Sequence, residues 1–499
     1  MRYISTRGRV EPVSSAEAIK LGIAPDGGLF VPEQGVRLNP EDFAAMTRMT
    51  YRERAVAILQ KFLTDFALEE LKEYVEAAYS PAKFDHPEVA PVKILGDDTY
   101  VLELWHGPTC AFKDMALQLL PYLLTASTRK TGEDAHIAVL VATSGDTGKA
   151  ALEGFRDVEG TSIIVFYPAH GVSQVQERQM ITQEGSNVHV VAVEGNFDDA
   201  QNGVKNIFQD QTIKELLERR GIKFSSANSI NWGRLVPQVV YYVSAYLDLV
   251  EMKGVEAGQP INIVVPTGNF GNILAAFYAK RMGLPVNKLV CAANANNVLT
   301  HFIRTGVYDR NRPFMKTISP SMDILISSNL ERLLWEAAGR DPEPVREWMR
   351  QLQDTGSYEV GPQVLKSIQE TFWSDYATDQ ETLATIRSTY ESFGYLLDTH
   401  TAVAKKVYDR YREETGDRTP TVIASTASPF KFAGSVAEAL LGTEVVAQYD
   451  EFTLLYLLAD KCGLDVPRGL QGLEAKPIRH QLKVNPGEMG STVLRLLGV

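Results

Sequence analysis

Hydrophobic positions change their period twice along the chain. Over residues 41–80, Phe43, Met46, Ala55, Ile58, Leu59, Phe62, Leu68 and Leu71 recur at helical spacing among charges, which predicts an N-terminal helical region. From about Thr99 the pattern becomes short apolar runs at 137–142, 163–167, 188–193, 261–265, 289–293 and 422–424. Runs of that length without polar alternation read as strands buried on both faces, the signature of parallel sheets. Turn residues and a helical pattern follow each run, so the centre is predicted α/β, with ligands at the carboxyl ends of the strands. Residues 331–390 return to charged helical periodicity with Trp335, Trp348, Leu352 and Phe372, read as a helical insertion before the last strand.

A length of 499 residues exceeds what one simple core organises, so two or three packed units are expected. Acidic residues outnumber basic ones, 62 against 50, and no Lys/Arg run forms a stripe, which argues against a nucleic-acid partner. An anionic substrate would then need a local positive site built from backbone N–H groups and one or two arginines. The cysteines, Cys110, Cys291 and Cys462, are too few and too scattered for a disulfide framework or a thiolate metal site. The eight histidines have no metal-ligand spacing, so no metal is expected. No uninterrupted run approaches eighteen apolar residues and no export signal follows Met1, so a cytoplasmic protein is the expectation.

Chemistry concentrates at four places. In His106-Gly107-Pro108-Thr109-Cys110-Ala111-Phe112-Lys113-Asp114, a turn leads into a predicted helix over 115–124. Lys113 near that N-terminus meets a macrodipole that disfavours the ammonium form, as an amine nucleophile or base requires. Alone, Phe112-Lys113-Asp114 reads as an ordinary surface pair, and the motif by itself proves little. Val265-Pro266-Thr267-Gly268-Asn269-Phe270-Gly271-Asn272 joins a strand to a helix with glycines that let backbone approach a phosphate, though a plain strand–helix turn would look the same. Thr143-Ser144-Gly145-Asp146-Thr147-Gly148 has the same form, and helix capping alone would also explain its hydroxyls. Asn228-Ser229-Ile230-Asn231-Trp232-Gly233-Arg234 puts an arginine, able to bind a phosphate with two parallel hydrogen bonds, ahead of a long helix.

Together these segments resemble threonine synthase, of the longer type found in fungi and many bacteria, within the tryptophan-synthase-β-like group of pyridoxal-phosphate (PLP) enzymes. The resemblance spans nearly the whole chain. It runs from Tyr3-Ile4-Ser5-Thr6-Arg7-Gly8 through Asp26-Gly27-Gly28-Leu29-Phe30 to Asp398-Thr399-His400-Thr401-Ala402 and Ser425-Thr426-Ala427-Ser428-Pro429-Phe430-Lys431-Phe432. It implies the PLP fold type II, with two open, twisted, mostly parallel sheet domains flanked by helices. It implies conversion of O-phospho-L-homoserine and water to L-threonine and phosphate, the last step of threonine biosynthesis. Lys113 would be the Schiff-base lysine and base, with Gly268, Asn269, Phe270, Gly271 and Asn272 around the cofactor phosphate. Thr426 would face the pyridine nitrogen and Asp146 the cofactor, while Thr143, Ser144, Thr147, Asn228, Ser229 and Arg234 would hold the substrate. Two positions depart from relatives: Ser428 stands where His is common, and Asp146 where related PLP enzymes carry Asn. His106 and His400 are candidates to line the cleft.

The expected division is an N-terminal region 1–95, a PLP-binding domain of 96–130, 258–330 and 391–445, a small domain 131–257, the helical insertion 331–390 and a C-terminal segment 446–499. The expected partner is a small-molecule substrate, with no nucleic acid or membrane, for a monomer or weak homodimer. Rival readings are a PLP phospholyase or serine/threonine dehydratase of the same fold, and a non-catalytic phosphometabolite-binding protein, which would not need Lys113.

Overall fold

The computed structural model describes residues 1–143 and 145–499. Two parallel sheets carry it. The larger has six strands in the order Phe372–Tyr376, Val286–Ala293, Ile261–Pro266, Thr421–Ser425, Thr99–Glu103, Val92–Gly96, parallel throughout except for the last pair. The smaller has five parallel strands in the order Leu482–Val484, Val188–Val193, Thr161–Pro168, His136–Ala142, Ile222–Ser225. Every residue of Ile261–Pro266 and Thr421–Ser425 is buried, which is why these strands read as unbroken apolar runs.

The N-terminal region is helical where expected. Pro40–Thr47 and Tyr51–Phe62 begin with capping boxes, Asn39 with Asp42 and Thr50 with Glu53, each satisfying two backbone N–H groups that a helix start leaves free. These helices pack on Trp232–Glu251, whose residues are almost all buried. Trp232 sits among Tyr3, Phe62 and Tyr278 with ring centroids 5.4–5.8 Å apart.

Four features differ from the sequence reading. Within 331–390, the helices Leu330–Ala337, Pro342–Asp354 and Pro362–Thr371 are followed by Phe372–Tyr376, an edge strand paired with Val286–Ala293, so this stretch is not wholly helical. A five-residue edge strand entered straight from a helix has too short a pattern to reveal its period. The 446–499 segment is not separate either. Leu482–Val484 extends the smaller sheet, and Met489–Leu496 packs beside Phe197–Gln209 on its outer face. Helix Trp232–Glu251, inside the expected small domain, shares the main core with the N-terminal helices. The predicted helix over 115–124 is two helices, Asp114–Leu117 and Leu120–Lys130.

One close approach fixes the two halves at the lysine. A Cβ on Gly154, near the end of helix Asp146–Phe155, would lie 2.0 Å from the carbonyl oxygen of Leu117, in the short helix that follows Lys113. Backbone cannot yield cheaply there. Gly154→Ala is therefore expected to cost about 1–3 kcal/mol through overpacking and to lower the urea midpoint; an unchanged midpoint would contradict the packing argument.

Candidate active site

The strand ends converge on a cleft of about 1890 Å³. It is lined by Lys113, Thr143, Asp146, Thr147, Asn228, Ser229, Arg234, Gly268, Asn269, Phe270, Gly271, Asn272 and Thr426, so the sequence-derived residues come together in one place. Ser144 lies outside the described residues.

The turn after Ile261–Pro266 is held from behind. Gly268 O accepts from Ser327 Oγ (2.7 Å), and Asn269 O accepts from the backbone and side-chain amides of Asn329 (both 3.1 Å). A Cβ on Gly268 would sit 2.5 Å from Ser321 O, so only glycine fits. Phe270 adopts φ +61°, left-handed backbone that a bulky residue takes only when its surroundings enforce it, and starts the twelve-residue helix Gly271–Met282. Asn272 Oδ1 accepts from the hydroxyls of Tyr241 (2.9 Å) and Tyr242, whereas its buried Nδ2 finds no acceptor. A helix N-terminus with an unspent amide donor is suited to an anion.

Lys113 is 9% exposed and is not a surface pair with its neighbour. Asp114 is turned inward and braces its own loop, accepting from Thr109 N and Thr109 Oγ1 at 2.8 Å; burial pushes its carboxyl up to about 6. Phe112 N donates to Thr426 O (2.8 Å) and Ser428 N to Cys110 O (3.0 Å), which ties the lysine loop to the end of Thr421–Ser425. Lys113 Nζ lies 3.4 Å from Asp146 Oδ2 and 3.2 Å from Ser321 Oγ. Its amine is held below the ordinary lysine range chiefly by burial, with Lys431 and Arg234 adding repulsion and Asp146 opposing. The helix dipole expected to do this belongs to a helix of only four residues, Asp114–Leu117, so desolvation carries the effect.

Asp146, first residue of helix Asp146–Phe155, accepts from Gln176 Nε2 (2.9 Å) and Ser321 Oγ (3.1 Å) and pairs with Lys431 Nζ at 3.1 Å. Burial would raise its carboxyl, but Lys431 and Lys113 outweigh burial and hold it far below the usual carboxylate range. Thr143 Oγ1 accepts from Gly145 N and Gly148 N (3.0 and 2.9 Å), so it caps the same turn it was expected to line. Arg234, 6% exposed in the first turn of Trp232–Glu251, donates to Ala227 O (2.6 Å) and has no acidic partner among the described residues. Burial lowers its guanidinium to about 10, still a cation at neutral pH. Asn228 and Ser229 lie beside it on the exposed rim.

Lys431, Ser321 and Gln176 also line this cleft, and no sequence signal assigned them a role. Lys431 stood inside a quoted motif, and a buried lysine in an apolar 3₁₀ turn could have been asked for its counter-charge. Ser321 comes from the 3₁₀ turn Pro320–Met322, which is too short to show a period. Of the two candidate histidines, His400 lines the cleft and His106 does not. His106 is instead clamped between Asp85 (2.8 Å) and Glu103 (2.9 Å), one carboxylate on each ring nitrogen. Burial would lower its pKa, but the two acceptors outweigh burial and raise it above the ordinary value. Raised in the folded state, it adds stability that is complete below about pH 6.5, the unfolded value, and fades as pH rises through the folded value. Its imidazole resonances are expected to titrate above those of a free histidine, and titration at or below that value would remove this clamp.

Family models match the chain over residues 2–79 (threonine synthase N terminus), 86–369 (pyridoxal-phosphate dependent enzyme) and 401–483 (threonine synthase, C-terminal). Threonine synthase-like 1 of Macaca fascicularis is 43% identical over 440 residues, covering 86% of this chain; the chain spans 58% of that relative's length. The threonine synthase of Pseudomonas aeruginosa is 40% identical over 446 residues, 89% of this chain and 91% of that protein. The crystal structure of PLP-bound threonine synthase from Brucella melitensis superposes with a TM-score of 0.88 at 38% identity, covering 99% of both chains.

Proposed function

The chain belongs to the threonine synthase family, and on that premise we propose that it binds pyridoxal 5'-phosphate and converts O-phospho-L-homoserine and water to L-threonine and phosphate. One observation carries the reading. A buried Lys113 whose amine is lowered below the ordinary lysine range and a buried Arg234 with no acidic partner among the described residues face one cleft, so an amine nucleophile and an anion site serve the same ligand space.

The cradle fits the cofactor. Gly268, Asn269, Phe270, Gly271 and Asn272 would hold its phosphate, the unpartnered Asn272 Nδ2 supplying a donor; Thr426 would meet its ring nitrogen and Lys113 its aldehyde carbon. When bound, PLP supplies an electron sink that acidifies the carbon bearing the substrate amine. A hydroxyl at Thr426, unlike a carboxylate, does not enforce a ring proton. Asp146 lies beside Lys113 and keeps a negative charge there at neutral pH. Arg234, with Thr143, Ser144, Thr147, Asn228 and Ser229, would hold the substrate's phosphate and amino-acid part, the arginine as a bidentate cation. Lys113, as a free amine, would serve as the base for the reacting carbons, and its desolvation leaves it uncharged at lower pH than a surface lysine. Water must be kept out until the phosphate has left, a task for the surrounding rim.

The division is read as 1–95, the PLP-binding 96–130, 258–330 and 391–445, the small unit 131–257, the insertion 331–390 and the segment 446–499, with the strand exchanges described above. No helix among the described residues is long and apolar enough to cross a membrane. The excess of acidic residues supports a small-molecule enzyme without a nucleic-acid partner, and three scattered free cysteines support a reducing, cytoplasmic setting; the chain is read as a monomer or weak homodimer. Incubation with O-phospho-L-homoserine tests the activity. Equal release of threonine and phosphate is expected; phosphate with a keto acid and ammonia would make the protein a phospholyase, and no turnover would end the proposal.

A further inference from the structure

Ser321 stands where the mechanism needs a constraint that Lys113 and Asp146 do not supply by themselves. Its Oγ is 3.1 Å from Asp146 Oδ2 and 3.2 Å from Lys113 Nζ. The polarity of this pair of bonds is forced. An ionised carboxylate only accepts, so the single hydroxyl proton of Ser321 goes to Asp146, and a lone pair of Oγ is left facing Lys113. Lys113 must then donate to Ser321, as it does to Asp146. A neutral lysine amine has two N–H bonds and one lone pair. With both N–H groups directed at Ser321 Oγ and Asp146 Oδ2, the lone pair is aimed away from both.

The loop carrying Ser321 is built to hold that position. Asp323 pins it from behind, with Oδ1 accepting from Asn294 Nδ2 (2.8 Å), Asn296 Nδ2 (3.0 Å) and Thr317 Oγ1 (2.7 Å), and Oδ2 accepting from Thr317 N (3.0 Å). Ser321 O closes on Gly268, so the loop also meets the phosphate-type turn. Ser321 N donates to His400 Nε2 (3.1 Å). That bond makes Nε2 the bare nitrogen of the ring and leaves the proton on Nδ1, facing the fully buried Asp398 Oδ2 at 3.1 Å. A carboxylate thus sets a histidine tautomer, and the histidine sets the backbone of the serine.

We propose that Ser321 is a further catalytic residue that, with Asp146, aims the lone pair of the free Lys113 amine at the reacting carbon, and that His400, oriented by Asp398, is its positioning residue. The proposal rests on Lys113 being the base of the preceding section. The charged groups facing Lys113 are Asp146, Lys431 and Arg234, and His400 faces Asp146.

Two readouts test it. In the full-length protein stripped of cofactor, the pH dependence of Lys113 acylation, followed by mass spectrometry, reports the amine directly. Ser321→Ala removes an acceptor from the ammonium form, so the midpoint is expected to fall, and Ser321→Thr to restore it. In the loaded enzyme, exchange of the substrate α-proton with deuterated water is expected to slow about 10–100-fold in Ser321→Ala, with KM little changed and Ser321→Thr largely active. His400→Ala should reproduce most of that loss, and combining it with Ser321→Ala should add little; His400→Gln, whose carbonyl can accept from Ser321 N, should lose less. An unmoved acylation midpoint in Ser321→Ala, or unchanged exchange, overturns the proposal, and additive losses overturn the role of His400. If the wild type makes no threonine but the midpoint moves, the activity fails and the contact of Ser321 with Lys113 stands.

Discussion

Lys113→Ala is expected to abolish the visible absorption band of the PLP-loaded protein and to lower threonine formation by roughly 10³-fold or more, since the proposed function makes this one residue both the covalent anchor and the base. The fold should survive. Lys113 is a buried cation whose desolvation is only partly offset by Asp146, and Asp146 keeps Lys431 at 3.1 Å when Lys113 is gone. Its lowered pKa means that the native state binds fewer protons than the unfolded chain between the folded value and the ordinary value of about 10.4, so stability rises with pH across that window. The alanine variant should lose this slope. Spectra, threonine and phosphate assays and urea unfolding at several pH values check the three parts. A variant that keeps its band and turnover would remove Lys113 from the chemistry.

Asp146→Asn is expected to be the most destabilising single change in the site. It leaves Lys113 and Lys431 buried in one cleft without a counter-charge, and breaking a buried pair costs about 3–5 kcal/mol. The neutral amide can also not be the sole anchor for Gln176 Nε2 and Ser321 Oγ as well as two ammonium groups. In the wild type the carboxyl is depressed, so its stabilising contribution is complete above about pH 4, the unfolded value, and is lost only as pH falls through the much lower folded value. The variant should be less stable at pH 7 and should gain stability at alkaline pH, where a lysine sheds its proton. Adding Lys431→Met should recover part of the loss. Wild-type stability in the single variant at pH 7 would show that the three charges are not coupled.

Much of the architecture is local and was legible. The six apolar runs read from the chain are all strands, because a strand buried on both faces must be apolar whatever its neighbours are. The turns at Thr143 and Gly268 open helices, since their glycines, and at the first the Thr143 hydroxyl, act within a few residues. Lys113 and Arg234 could be singled out for the same reason: each stands at a strand-to-helix or loop-to-helix junction whose chemistry is written nearby. Short elements were less legible. Phe372–Tyr376 and Leu482–Val484 gain their strand character from a partner strand at a sheet edge, and a handful of residues carries no period of its own.

What surrounds Lys113 is another matter. Thr421–Ser425 lies between Thr99–Glu103 and Ile261–Pro266 in the larger sheet, and that insertion of a late strand between two earlier ones brings Lys431 from the C-terminal third onto Asp146 at the start of helix Asp146–Phe155. The Ser321 loop reaches both from a third direction. Sequence by itself determined the buried strands and the strand-to-helix turns, and it singled out Lys113 as a candidate, because hydrophobic period and turn chemistry act over neighbouring residues. Only the tertiary structure decided that burial, and not a helix dipole, lowers the Lys113 amine, that Asp146 is shared by two lysines, and that Ser321 lies within hydrogen-bond reach of both Lys113 and Asp146, because desolvation and charge pairing depend on strand order and on contacts between segments hundreds of residues apart.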